Sequence, residues 1–88
     1  MSQTLIRTPE EIRATVLQVL GDIAPEADLA GIDPAESLRE QFDLDSMDFL
    51  NFAIGLHQRL GVEIPEADYS RLASLEGAVA YLRAPGAR

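Results

Sequence analysis

The chain has 88 residues, a formal net charge of −8 at pH 7 and no cysteine. This length supports one domain with a modest core, and the 47% hydrophobic content is typical of a globular protein rather than a disordered one. The absence of cysteine excludes a disulfide framework and a thiolate metal site, and no segment approaches the roughly 20 apolar residues of a membrane span.

These properties predict a single domain over residues 1–88, structured from about residue 8 to about residue 83 with short flexible ends. The N-terminus lacks the long apolar stretch of a signal peptide, and a cytoplasmic location fits. The initiating Met1 and the short C-terminal tail suggest a freestanding protein rather than an excised module, and we expect it to be a monomer.

The negative charge is concentrated in residues 22–48, which hold nine acidic residues and one basic residue, Arg39. In the segments on either side, acidic and basic residues cancel. Such a field repels nucleic acid and attracts basic protein surfaces. We therefore expect no nucleic-acid partner. Charge alone does not decide whether the acidic segment binds proteins or only aids solubility.

The first helix is predicted to begin at Pro9, with Thr8 as N-cap and Glu11 completing a capping box. Its apolar residues recur at helical spacing along one stripe: Ile12, Val16, Val19, Leu20 and Ile23. Gly21 and Pro25 bracket its predicted end. From there to Phe42 no period is sustained, which predicts a long loop anchored by Leu29, Ile32, Leu38 and Phe42.

The second main helix is predicted to begin at Asp45 or Ser46 and to end at Leu60, before Gly61. Asp45 as N-cap and Asp48 at the third helical position resemble an acidic capping box. Residues 62–65 predict an extended link and residues 66–72 one or two helical turns. The last helix follows Ser74 and turns inward Leu75, Ala78, Val79 and Leu82. The predicted fold is all-α, a small bundle of three main helices plus one short helix.

The second main helix carries more apolar surface than the roughly 100° stripe that packing one face requires. Either it is buried on several sides, or it has two apolar faces. In the second interpretation, which we favour, the core face is Phe49, Phe52, Ala53, Leu56 and Leu60. A second patch beside Ser46, left for a partner, is Met47, Leu50 and Ile54. The remaining polar arc is Asp48, Asn51, Gly55, Gln58 and Arg59.

Ser46 lies between two aspartates, where it can present a hydroxyl but cannot be activated as a nucleophile. The only histidine, His57, is eleven residues further along the same helix, which is about 16 Å. The chain has no lysine, and the flanking glycines of a hydrolase elbow are absent. The aspartates around Ser46 do not follow EF-hand spacing either. We therefore expect no catalytic residue and no metal site, and His57 is interpreted as partly exposed and without chemistry.

The run Phe42-Asp43-Leu44-Asp45-Ser46-Met47-Asp48, at the start of the second main helix of a small acidic chain, resembles the acyl and peptidyl carrier proteins. The resemblance extends over nearly the whole chain. It implies that a phosphopantetheinyl transferase attaches 4′-phosphopantetheine from coenzyme A to Ser46. The arm would then hold acyl or aminoacyl groups as thioesters, loaded by a ligase and used by downstream acyl-transfer enzymes. Such a protein is not an enzyme itself.

The resemblance also implies docking roles on the second main helix. Asp45 and Asp48 would meet basic partner surfaces, and Met47, Leu50 and Ile54 would provide apolar contacts. The chain departs from the family in two places. Asp43 replaces a frequent glycine, and the acidic residues common along this helix in fatty acid synthesis are missing. The second departure favours a specialised pathway, such as secondary metabolism.

Two other functions are compatible with parts of this sequence. The chain could be an unmodified helical adaptor that docks a partner through Met47, Leu50 and Ile54 without any cofactor. A hydrolase that uses Ser46 is the third alternative, and the lack of a nearby base argues against it.

Overall fold

A computed structural model of the chain describes residues 8–83, and all regular structure in that range is helical. The α-helices are α1 (Pro9–Ile23), α2 (Leu38–Gln41), α3 (Ser46–Leu60) and α4 (Leu75–Arg83). Two 3-10 helices span Leu29–Gly31 and Glu66–Leu72. The all-α bundle of three main helices, α1, α3 and α4, with a short helix at 66–72 is therefore confirmed. The flexible ends predicted for the chain lie outside the described residues.

The predicted capping box starts α1. The Thr8 side chain accepts a hydrogen bond from the Glu11 backbone N–H, and Glu11 Oε1 accepts one from the Thr8 N–H, both at 3.1 Å. The helix ends at Ile23, between Gly21 and Pro25, as predicted. Its buried stripe consists of Ile12, Val16, Val19 and Leu20.

The connection from α1 to α3 is more ordered than the predicted loop. It contains the 3-10 turn Leu29–Gly31 and the one-turn helix α2, whose N-cap Ser37 accepts a hydrogen bond from the Glu40 N–H. Its anchors Ile32 and Leu38 are buried, while Leu29 and Phe42 pack against the core at half burial. Two backbone hydrogen bonds tie it to the region before and at the start of α4: Leu38 N–H to Ala73 O at 2.7 Å and Glu76 N–H to Pro34 O at 2.8 Å.

The core lies where α1 packs against both α3 and α4. Its largest fully buried side chains are Phe52, Leu20, Leu38, Leu56, Leu72, Leu75 and Val16. Gly55 of α3, expected in the polar arc, instead faces α1. A Cβ added there would come within 2.8 Å of Val19 Cγ1. The missing side chain therefore allows the two helices to approach closely.

The 3-10 helix Glu66–Leu72 is fastened to α4 by a buried tyrosine. The Tyr81 hydroxyl donates to Asp68 Oδ2 at 2.7 Å, and the Arg71 guanidinium lies 5.3 Å from the centre of the Tyr81 ring. Burial raises the pKa of the Tyr81 phenol above its ordinary value of 10.0. The hydrogen bond to Asp68 and the negative charge of Asp68 raise this pKa further, whereas the positive charge of Arg71 lowers it.

Candidate functional site

The chain approaches α3 through a sharp turn at Asp43, whose φ of 56° lies in the left-handed region. Asparagine and aspartate are the non-glycine residues that adopt this conformation most readily. The next residue, Leu44, is buried, and its backbone N–H donates to Arg39 O at 2.9 Å. The turn and the buried leucine together fix the position from which the helix starts.

The predicted acidic capping box is present at the start of α3. Asp45 Oδ1 accepts from the Asp48 backbone N–H at 2.8 Å, and Asp48 Oδ2 accepts from the Asp45 N–H at 3.3 Å. Both carboxylates lie at the positive end of the helix dipole, which favours them. Gly61, with a φ of 68°, ends the helix as predicted.

Ser46 occupies the first helical position and is exposed. Within residues 8–83, no hydrogen bond is formed by its hydroxyl. His57 is exposed near the other end of α3 and bonds instead to Val62 O, 2.8 Å from its Nδ1. Because a carbonyl oxygen only accepts hydrogen bonds, Nδ1 carries the proton there. Among the described residues, the Ser46 hydroxyl is therefore exposed at the start of α3, and the His57 imidazole lies near the other end of the helix.

The two-face interpretation of α3 is confirmed. Phe52, Ala53, Leu56 and Leu60 are buried, and Phe49 packs against the core at half burial. Three large hydrophobic side chains remain exposed: Met47 by 62%, Ile54 by 41% and Leu50 by 38%. We call Met47, Leu50 and Ile54 the apolar patch. Its role in partner docking stays a prediction.

A second surface feature near Ser46 is an open cleft of about 720 Å³ between the end of α1 and the start of α3. Its apolar lining includes Ile23 and Phe42, and its carboxylates include Asp43 and Asp48. The cleft was missed by sequence reasoning because it forms between segments distant in the chain. No local residue pattern marks such a junction.

The profile of the family described as "Phosphopantetheine attachment site" matches residues 10–82. An acyl carrier protein of Rubrobacter xylanophilus is 32% identical over 75 residues, which are 80% of this chain and 90% of that protein. The chain belongs to the acyl carrier protein family. An acyl carrier protein of Campylobacter hominis is also 32% identical, over 83% of this chain and 86% of the relative.

This carrier protein is also similar to the meromycolate extension acyl carrier protein of Mycobacterium tuberculosis. The two are 28% identical over 81 residues, which are 86% of this chain but only 65% of the mycobacterial protein. Members of the family are carriers and not catalysts, so this protein is not an enzyme. Its cofactor is covalently bound 4′-phosphopantetheine.

The start of α3 suits a phosphate-bearing group. The Ser46 hydroxyl is exposed and lies at the helix end that favours negative charge. The neighbouring carboxylates of Asp45 and Asp48 each accept a hydrogen bond from a backbone N–H, which satisfies part of their hydrogen-bonding capacity. Within the described range, no group of side chains is arranged to hold a metal ion. None of the helices there has the length and apolar character needed to cross a membrane.

Proposed function

We propose that Ser46 is the attachment point of 4′-phosphopantetheine and that the carrier protein serves a specialised biosynthetic pathway, with acyl or aminoacyl groups as cargo. When bound, the group supplies a terminal thiol on which cargo is held as a thioester. The observation that carries the proposal is the exposed, unbonded Ser46 hydroxyl at the first position of α3, within the residues Asp45-Ser46-Met47.

The residues around Ser46 have distinct roles in this proposal. Leu44 anchors the approach to the helix from inside the core, and the Asp45–Asp48 capping box sets the direction of the first turn. Ser46 is thereby presented at a fixed place without being drawn into a hydrogen bond of its own. The transferase supplies the base that the chain does not place near Ser46.

Docking is proposed to use Asp45, Asp48 and the apolar patch. Asp45 is exposed and Asp48 half-buried, so both carboxylates are accessible to a basic surface. The patch begins directly after Ser46 and continues along the same helix to Ile54. A protein that reaches the Ser46 hydroxyl would therefore also meet Met47.

The specialised pathway is supported by the composition of α3. Asp48 is its only acidic residue, and Asn51, His57, Gln58 and Arg59 stand where carrier proteins of fatty acid synthesis usually have acids. Among the relatives are proteins whose name, meromycolate extension acyl carrier protein, states one particular use. Loading by an acyl- or aminoacyl-ligase, a monomeric state and a cytoplasmic location remain predictions.

Intact-mass measurement tests the attachment point. The purified chain is incubated with coenzyme A and a broad-specificity phosphopantetheinyl transferase. We expect a mass gain of one phosphopantetheine arm, absent in Ser46→Ala. Ser70→Ala is the matched control, since Ser70 is also exposed but lies in the 3-10 helix Glu66–Leu72, and it should gain the same mass as the native chain.

Lack of any mass gain with several transferases would contradict the proposal and favour the cofactor-free adaptor. A gain that persists in Ser46→Ala would place the arm on another residue. Hydrolysis of a generic ester by the purified chain, lost in Ser46→Ala, would instead support the hydrolase alternative.

A further inference from the structure

The margins of the apolar patch carry no carboxylate from α3. At about 100° per residue, the patch covers about 60° of the helix circumference. Asn51 and Gln58 lie beside it on one side and His57 on the other, and all three are exposed. Along its body, α3 therefore contributes an apolar centre with polar residues that are not carboxylates at its edges.

The two fully charged side chains of α3 lie elsewhere on the helix. Arg59 donates to Gln18 Oε1 at 3.1 Å and forms an ion pair with Asp22, both on α1. Asp48 belongs to the capping box and lines the cleft on the other side of the helix start. Both positions are more than about 100° from the centre of the patch. Neither adds a charge to the patch face.

Carboxylates precede α3 at the end of this face that holds Ser46. Asp43 and Asp45 are both exposed, and they immediately precede α3. The docking face therefore has an acidic end at Ser46, and α3 itself adds no acidic residue along the patch. Long-range attraction would come from the acidic end, while burial of the apolar patch would hold the complex.

We infer that the enzymes that use this carrier protein receive the body of α3 in an apolar groove without basic residues, and place basic residues only near the start of the helix, opposite Asp43, Asp45 and Asp48. This inference rests on the proposed function and names the chemistry of its partners. It follows that partners with basic side chains along the whole groove bind this chain weakly, because those side chains would lose water without gaining a carboxylate.

The test grafts the missing charges onto the margins of the patch. The probe is an acyltransferase of fatty acid synthesis whose carrier-docking surface is basic. Its Kd is measured by fluorescence anisotropy for the native chain and for the double variant Asn51→Asp/Gln58→Glu, after circular dichroism has shown that both are folded. At about 0.01 M salt, the double variant should bind about fivefold more tightly. The gain should disappear at about 1 M salt, where charges are screened within about 3 Å.

A matched control separates the position of the new charges from the net charge. Ala14→Glu/Ala80→Glu adds the same two negative charges at exposed positions of α1 and α4. It should leave the Kd within about twofold of the native value. The inference would be overturned if the control lowered the Kd as much as the double variant does. It would also be overturned if the native chain already bound with the same Kd as the double variant.

Failure of this inference can be told apart from failure of the proposed function. The Kd is measured on the chain both before and after treatment with coenzyme A and the transferase, and intact mass reports separately whether Ser46 is loaded. A chain that is never loaded would contradict the proposed function. A loaded chain whose grafted acids change nothing would contradict only the neutral-groove inference.

Discussion

Asp45 and Asp48 cap each other across the first turn of α3, each carboxylate accepting the backbone N–H of the other residue. Ser46 and Met47 lie between them in the chain, so the capping box frames the proposed attachment point. The same two carboxylates are also candidates for docking. Structural and docking roles therefore coincide at this position and have to be separated experimentally.

Replacing Asp45 by alanine or by asparagine separates the two roles. Asparagine caps helices about as well as aspartate but carries no charge, whereas alanine cannot cap. We expect Asp45→Ala to lower the free energy of unfolding by about 1 kcal/mol and Asp45→Asn to change it by only a few tenths. Urea denaturation measures both. Both variants should slow modification of Ser46 by the transferase at low salt, if the charge guides docking.

Equal loss of stability in the two variants would show that Asp45 acts through its charge at the helix end rather than through the hydrogen bond to Asp48. Unchanged modification rates in Asp45→Asn would argue that the Asp45 charge has no part in docking.

Because the backbone at Asp43 is left-handed, we expect a glycine variant at this position to be more stable than an alanine variant. Asp43→Gly and Asp43→Ala remove the same charge, but only glycine adopts a φ of 56° without strain. We expect the alanine variant to be less stable than the glycine variant by about 1 kcal/mol, as measured by thermal unfolding. The same pair of substitutions at Glu36, whose φ is not positive, should give the reverse order. Equal stability of the two Asp43 variants would contradict the backbone argument.

Because Gly55 lies close to Val19, we expect the effects of substitutions at these two positions on stability to be coupled. The Cβ of Gly55→Ala would crowd the buried Val19 side chain, so the substitution should destabilise by about 1–3 kcal/mol, less any gain in helix propensity. Adding Val19→Ala should recover part of that loss, giving a coupling energy of about 1 kcal/mol in a double-mutant cycle.

Gly21→Ala is the control for this cycle, because a Cβ there would meet Leu29 Cδ1 at an ordinary 3.5 Å. It should leave stability unchanged or raise it by up to about 1 kcal/mol. Additive effects of the substitutions at Gly55 and Val19 would mean that the two helices can move apart at no cost.

The raised pKa of Tyr81 predicts a loss of stability in alkaline solution. Since the folded protein holds the phenol proton more tightly than the unfolded chain, the stabilisation is fully present below pH 10.0. It is lost as the pH rises from that value through the higher folded pKa. Urea unfolding at pH 8 and above pH 10 should therefore show a decline that is smaller in Tyr81→Phe.

The phenylalanine variant should also be less stable at neutral pH, by about 1 kcal/mol, because Asp68 loses its hydrogen-bond donor. Tyr69→Phe is the control and should keep the alkaline decline that Tyr81 causes. A decline as steep in Tyr81→Phe as in the native chain would assign it to other groups.

The features that sequence reasoning predicted are those set by neighbouring residues. Helix caps act over three residues, so Thr8 with Glu11 and Asp45 with Asp48 could be recognised from spacing alone. Helical periodicity likewise separated the buried face of α3 from the apolar patch. The candidate attachment residue Ser46 was identified in the same way, from its position beside the predicted N-cap.

The features that were missed depend on contacts between distant residues. Helix α2 has a local cap, Ser37 with Glu40, that was overlooked, but the acceptor of its Leu38 N–H is Ala73 O, far along the chain. Gly55 has no side chain, so the hydrophobic pattern carried no sign that it faces Val19. Tyr81 and Asp68 are thirteen residues apart, and no periodicity links a tyrosine to the carboxylate it will meet.

The two backbone hydrogen bonds that join residues 34 and 38 to residues 76 and 73 give the acidic connection a rigid character. The connection is held against the residues before and at the start of α4 and does not hang free between α1 and α3. The backbone that carries its carboxylates is consequently anchored at two points, to residues 73 and 76. Less backbone entropy would then be lost if a partner binds to this connection.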